Sequence, residues 1–347
     1  MSTVAVTGSS SAIGRALIAR LGEEGSVTRI VAVDLDAPEM PGAKVDFRTA
    51  DVRDRLLPNA LRGADTVVHL AARCGPTRDE DTMFARNVHG TRNVLAAAGR
   101  VGARKVVHLS SAAVYGAHPD NRVPLAEDAP LRANPDFSYG YQHLLSEELV
   151  AEWAMAFPDV AVCVLRPAPV LGPGMDDFLA RQLESPRLPL VRGYNPPRQF
   201  VHVDDVASAL ALAVTGELAG AYNVAADGWL ATEELCSLLG RKPLLIPETV
   251  AFSAAEQLWD RGLSELSAGA VHHVMHPVVL ATDSLHDHGW APTHSNREIV
   301  REFSDAHREY LTVGRVRVRR RHLIIATFAT VGTLIGFVVG RRATRSP

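Results

Sequence analysis

Cysteine is scarce in this 347-residue chain: Cys74, Cys163 and Cys236 stand far apart. Three scattered thiols exclude a disulfide framework and a thiolate metal cluster, and they fit buried cysteines in a reducing compartment. Internal repeats and low-complexity linkers are also lacking, which argues against a solenoid. Met1 leads almost directly into a strand-like run, so no signal peptide is expected. With 47% apolar and 22% charged residues, the composition excludes a disordered tail and a multi-span membrane protein. Basic residues are few in the body: residues 1–314 hold 28 against 39 acidic ones, a net of −11. Phosphate neutralisation needs a clustered basic surface, so nucleic acid is not an expected partner.

The basic residues that are present crowd the end of the chain. From Arg315 onward there are eight arginines and no acid, set around the uncharged run Leu323–Gly340. At about 1.5 Å per residue this run would span roughly 27 Å, close to a hydrocarbon core. It is expected as a single C-terminal membrane helix over 323–340, with a basic juxtamembrane segment at 313–322 and a basic tail at 341–347. The larger arginine cluster on its N-terminal side places the main domain in the cytoplasm. Gly332, Gly336 and Gly340 recur every fourth residue, a face on which a homodimer or a membrane-complex partner could pack.

The body alternates strand-like and helix-like segments. Short apolar runs at Val4–Thr7, Arg29–Asp34, Thr66–Leu70, Lys105–Leu109 and Val160–Leu165 are separated by helical periodicity at Ile13–Leu21, Asn87–Val101 and Tyr141–Ala156. Continuous apolar strands between helices predict a doubly wound α/β fold, a parallel sheet covered on both faces. The first strand ends in Thr7-Gly-Ser-Ser-Ser-Ala-Ile-Gly14. Gly8 permits a tight turn, Gly14 allows close helix–strand packing, and the helix N-terminus offers amides to a pyrophosphate. Asp34 ends the second strand, where a carboxylate would bond ribose hydroxyls and repel a 2′-phosphate; NAD is therefore favoured over NADP.

In this order of motifs the chain resembles the extended short-chain dehydrogenase/reductase family, the NAD-dependent epimerase/dehydratase group. The resemblance covers about residues 3–312. It rests on Thr7, Gly8 and Gly14, on D-V-R-D from Asp51, H-L-A-A from His69, N-V-H-G-T-R-N-V-L from Asn87 and L-S-S-A-A-V-Y-G from Leu109. R-Q-F-V-H-V-D-D-V-A from Arg198, Y-N-V-A from Tyr222 and D-S-L-H-D-H-G-W-A-P from Asp283 complete it. The family's middle glycine is Ser11 here. The resemblance implies a Rossmann NAD-binding domain over 1–167 and 198–224, and a small substrate region over 168–197 and 225–312. It also implies a cofactor site from Thr7, Gly8, Ser11, Ile13, Gly14, Asp34, Asp51, Val52, Leu70, Ala71, Ala72, Asn87 and Arg166, together with Tyr139 and His143.

The family's chemistry uses a Ser–Tyr–Lys set. Ser111 and Tyr139 match the serine and tyrosine, but the position one helical turn beyond Tyr139 is His143. An ordinary histidine is mostly neutral at pH 7, so it would lower the Tyr139 pKa only when protonated. Two functions follow: a membrane-anchored NAD-dependent oxidoreductase or epimerase in which His143 holds the ribose, or a catalytically weakened NAD-binding structural or regulatory subunit. In the sugar-nucleotide members' R-x-x-N-x-Y-G-P pattern, Arg166–Pro173 has Pro169 and Leu171 in place of Asn and Tyr. These departures lower the sugar-nucleotide reading of the small-molecule substrate, while the apolar loop and the expected anchor are compatible with a sterol-like, isoprenoid or lipid-linked one; Arg181, Arg187, Arg192 and Arg198 remain candidates for meeting a diphosphate. His272, His273 and His276 lack the glutamate of a zinc H-E-x-x-H motif, and no metal is expected there.

Overall fold

Strand β1 (Ser2–Thr7) is followed by helix α1 (Ala12–Glu23), β2 (Val27–Asp34), β3 (Val45–Thr49) and β4 (Thr66–His69). Then come α2 (Gly90–Val101), β5 (Lys105–Leu109), α3 (Ser138–Ala156) and β6 (Ala161–Pro167). The computed structural model describes residues 2–37, 42–72, 75–264, 267–313 and 316–319. A short β7 (Val170–Leu171), α4 (Phe178–Leu183), β8 (Arg187–Val191) and β9 (Val201–His202) lead into α5 (Val203–Thr215) and β10 (Gly220–Val224). β11 (Lys242–Ile246), α6 (Ala270–Met275) and α7 (Asn296–Ala306) precede a closing pair, β12 (Tyr310–Val313) and β13 (Val316–Arg319).

Seven strands form one parallel sheet in the order β10-β6-β5-β4-β1-β2-β3. Alternation along the strands explains why both faces are covered. On β1 and β2, Val4, Val6, Ile30 and Ala32 join Leu17, Ile18 and Leu210 of the α1/α5 layer. Ala5, Val31 and Val33 point the other way, with Val94, Ala98 and Val150 of the α2/α3 layer. The strand order reverses between β1 and β4, which opens the crevice used by doubly wound folds for ligands. A separate core of Leu171, Leu183, Leu188, Phe200, Leu235, Ile299 and Phe303 builds the smaller region beside that crevice, around the parallel pairs β7–β9 and β8–β11.

The expected strands and helices are present, with three differences. The α-helix expected from Asn87 starts only at Gly90, because Ala85–His89 is a π-helical turn. β3 and β10 carry too little local patterning to stand out, and sheet pairing makes them strands. The basic segment after residue 312 begins as an antiparallel hairpin, Val313 opposite Val316. The expected membrane helix over 323–340 lies outside the described residues; among those described, no helix is long and apolar enough to cross a membrane.

Candidate active site

The turn after β1 is built by contact distances that only glycine tolerates. Gly8 has φ 74°, and a Cβ there would stand 2.7 Å from the Ala71 amide nitrogen. Leu70, Ala71 and Ala72, the segment leaving β4, therefore pack directly on the turn. A Cβ on Gly14 would meet the Gly8 carbonyl oxygen at 2.5 Å. Beneath them, buried Thr7 contacts His69 Nδ1 through its Oγ1 at 2.8 Å. Ser11 is the N-cap of α1: its Oγ accepts from the Gly14 amide at 3.0 Å and donates to the Gly8 carbonyl at 2.8 Å. One amide at the helix N-terminus is thus satisfied internally, leaving fewer for a phosphate. Asp34 accepts the Ser10 amide at 2.9 Å and the Leu35 amide at 2.8 Å, so it fixes the turn. Asp51 pairs with the Arg53 guanidinium at 2.6 Å, which holds its carboxyl below the usual range. Val52 is buried in the space left by Gly90, where a Cβ would stand 2.9 Å from it.

A cavity of about 380 Å³ runs from this turn into the smaller region. Ser11, Ala12, Ile13, Leu70 and Ala72 line one end, and Ser111, Tyr139 and His143 line the middle. Ser111 ends the β5 loop, its Oγ accepting from the Ala113 amide at 3.2 Å. Tyr139 and His143 project from one face of α3, one turn apart, and their rings meet edge-on with centroids 4.7 Å apart. His143 is buried, and desolvation, reinforced by His108, pushes its pKa down to about 4. The imidazole is therefore neutral at physiological pH and supplies no positive charge to Tyr139. No lysine substitutes: Lys44 and Lys105 donate to the Glu24 and Ala213 carbonyl oxygens, and Lys242 lies on β11.

Two expected site residues have partners within the protein. The Arg166 guanidinium is buried against Glu147 at 2.7 Å and donates to the Tyr115 hydroxyl at 2.9 Å. Tyr115 in turn donates to Asn223 Oδ1 at 2.8 Å. A buried arginine takes a carboxylate partner where one is in reach, and Glu147, two turns beyond Gly140 on α3, provides it. Asn87 is buried behind the cavity wall, its Nδ2 donating to Gln142 Oε1 at 3.0 Å.

The far end of the cavity was not legible in sequence. Phe137 packs against Tyr139, Phe178 and His273 with centroid separations of 5.7, 6.5 and 4.8 Å. Asp177 caps α4 through the Ala180 amide, and burial raises its pKa to about 6. Of the four candidate arginines, Arg181 pairs with Asp176, and Arg187 and Arg192 are exposed. Arg198 lines the cavity. Its guanidinium donates to the backbone oxygens of His273 and Val274 at 2.7 and 2.9 Å, and no carboxylate pairs with it among the described residues. Desolvation brings its pKa down to about 10. His272 bonds Asp136 and His276 packs edge-on to Tyr194, so each engages a different partner.

Residues 4–225 match the family model described as the NAD-dependent epimerase/dehydratase family. An uncharacterized protein of Mycobacterium tuberculosis is 33% identical over 255 residues, 70% of this chain and 67% of that one. The dTDP-glucose 4,6-dehydratase of Streptomyces griseus is 29% identical over 255 residues, 67% and 76% of the two chains. Among solved structures, Thermus thermophilus UDP-glucose 4-epimerase in complex with NAD superposes with a TM-score of 0.68 at 25% identity, covering 88% of this chain and 99% of that one. With this match, the glycine turn and the Ser111–Tyr139 pair on one cavity, the chain belongs to the NAD-dependent epimerase/dehydratase family.

Proposed function

We propose that the protein is an NAD-dependent oxidoreductase of the epimerase/dehydratase type that acts on a nucleoside-diphosphate sugar. The observation that carries the substrate class is Arg198, a cation set in the cavity wall whose guanidinium has only backbone carbonyls as partners among the described residues. A desolvated guanidinium without a counter-ion favours an anionic ligand, and a diphosphate can accept its fork. The similarity to a dTDP-glucose dehydratase and a UDP-glucose epimerase supports the same class. A sterol or isoprenoid would leave Arg198 unpaired.

NAD fits the residues present: Gly8 and Gly14 allow the tight turn that sets the α1 N-terminus beside the cavity, and Asp34 ends β2. When bound, the nicotinamide supplies a hydride acceptor and donor. Ser111 then bonds the reacting oxygen and Tyr139 exchanges its proton, while the apolar wall of Phe137 and Phe178 excludes water. Neutral His143 can bond the ribose but leaves the Tyr139 phenol without a cationic neighbour at that position, which favours slow turnover at neutral pH. That observation keeps a second reading open, a cofactor-holding subunit with little chemistry. Residues 323–340 would anchor either one to a membrane with the catalytic body in the cytoplasm.

The test is calorimetric titration of the NAD-loaded protein with UDP- and dTDP-hexoses, followed by turnover assays. Binding that drops at least tenfold in Arg198→Met supports the diphosphate assignment; unchanged binding removes it. Turnover lost in Tyr139→Phe and raised at pH 7–8 in His143→Lys supports the enzyme. A Tyr139→Phe variant as active as the parent would remove Tyr139 from the chemistry, and a parent that binds NAD but turns over none of these hexoses would leave the second reading.

A further inference from the structure

Away from the cavity, the ends of three elements bring two histidines and three carboxylates together. His202 ends β9 and is 2% exposed. His294 lies in the turn before α7, and Glu302 sits on α7, half exposed to solvent. His202 Nε2 stands 3.2 Å from Glu302 Oε2, yet it makes no well-directed hydrogen bond. One ligand atom from each of the three residues falls within 4.8 Å of the others. The consecutive acids Asp204 and Asp205 lie behind the rings. Asp205, itself buried, accepts from His294 Nδ1 at 3.0 Å and is fixed by the amides of Thr293 and His294. Asp204 Oδ2 lies 3.6 Å from His202 Nδ1.

This is the arrangement of carboxylate–imidazole pairs that orient Nε2 toward a metal. Donation from His294 Nδ1 to Asp205 leaves the Nε2 lone pair free. Gly172, at φ 137°, keeps the space beside His202 clear, since a Cβ there would come within 2.9 Å of Nε2. We propose that His202, His294 and Glu302 form a zinc site, with two nitrogens and one oxygen as ligands and a fourth position open to water. The donor set favours zinc over calcium or magnesium, which take oxygen ligands. The two rings stack with centroids 3.9 Å apart and planes 26° from parallel, so their lone pairs do not yet converge. Loading fans the rings apart, draws in Glu302, and moves the His202 proton from Nε2 to Nδ1. There the Asp204 carboxylate receives it in place of the Asp204 amide, which His202 Nδ1 now accepts at 3.2 Å. The site would tie α7 to β9 and to the Gly172 loop, whose continuation Gly174–Asp177 lines the substrate cavity.

The experiment uses the untagged full-length chain, stripped with a chelator and titrated with Zn²⁺ against a chromophoric indicator, and separately with Co²⁺. One equivalent bound at micromolar or tighter affinity, and a tetrahedral Co²⁺ absorption band, are expected. Both should weaken at least tenfold in Glu302→Gln, whose exposed position spares the fold, and in His294→Ala, while His272→Ala binds like the parent. Absence of stoichiometric binding, or binding that survives both Glu302→Gln and His294→Ala, overturns the assignment. These readouts are independent of substrate and turnover, so they stand or fall apart from the enzymatic reading.

Discussion

Replacing His108 with leucine should make the protein more resistant to acid. His108 lies on β5 between the helical layers, 2% exposed, and neither ring nitrogen has a hydrogen-bond partner among the described residues. Burial pushes its pKa down to about 4 from an ordinary 6.5. The folded protein therefore holds this ring neutral while the unfolded chain protonates it below pH 6.5. As pH falls from 6.5 toward 4, the unfolded state binds the extra proton, and stability is lost at up to about 1.4 kcal/mol per pH unit. Between pH 7 and pH 5 the loss from this one ring is about 2 kcal/mol, with a ceiling of roughly 3.4 kcal/mol reached below pH 4. His143 has the same direction and a similar value, so the pair should cost about twice as much. Leucine at position 108 leaves no polar atom unpaired, since none was paired. His108→Leu should match or exceed the parent at pH 7 and be about 2 kcal/mol less acid-sensitive by pH 5. Urea titrations at the two pH values give this difference directly. If parent and variant lose the same stability between pH 7 and pH 5, the histidine does not titrate as its burial demands and the reasoning fails.

Two further outcomes follow from the same geometry. Arg166→Met strands the Glu147 carboxylate, 6% exposed in its side chain, and should cost about 3–5 kcal/mol; chemical denaturation would show it, and a companion Glu147→Gln should recover part of the loss. Ser11→Gly removes a helix cap worth only a few tenths of a kcal/mol relative to glycine but frees the Gly14 amide; calorimetry should find tighter NAD binding with nearly unchanged stability, and weaker NAD binding would refute the role given to the cap.

The sequence by itself determined the parts that depend on neighbours within a few residues. The strand–turn–helix from Ser2 to Glu23 follows from an apolar run, Gly8 and a 3.6-residue period. Tyr139 and His143 share a helix face because they are four apart. Asp34 ends a strand because β-branched residues precede it. Pairings across large separations needed the tertiary structure. Arg166 is picked out by its motif, but its buried ion pair is not, because only folding brings Glu147 within 2.7 Å. The neutrality of His143 depends on burial beneath strands far away in sequence. Arg198, one of the four arginines named as diphosphate candidates, is singled out because the His273 and Val274 carbonyls hold it at the cavity wall. His202 and His294 meet only where β9 and the turn before α7 pack together. Local periodicity is written into the chain, whereas desolvation and charge pairing are properties of the surroundings, and those exist only once the distant segments have closed around the residue.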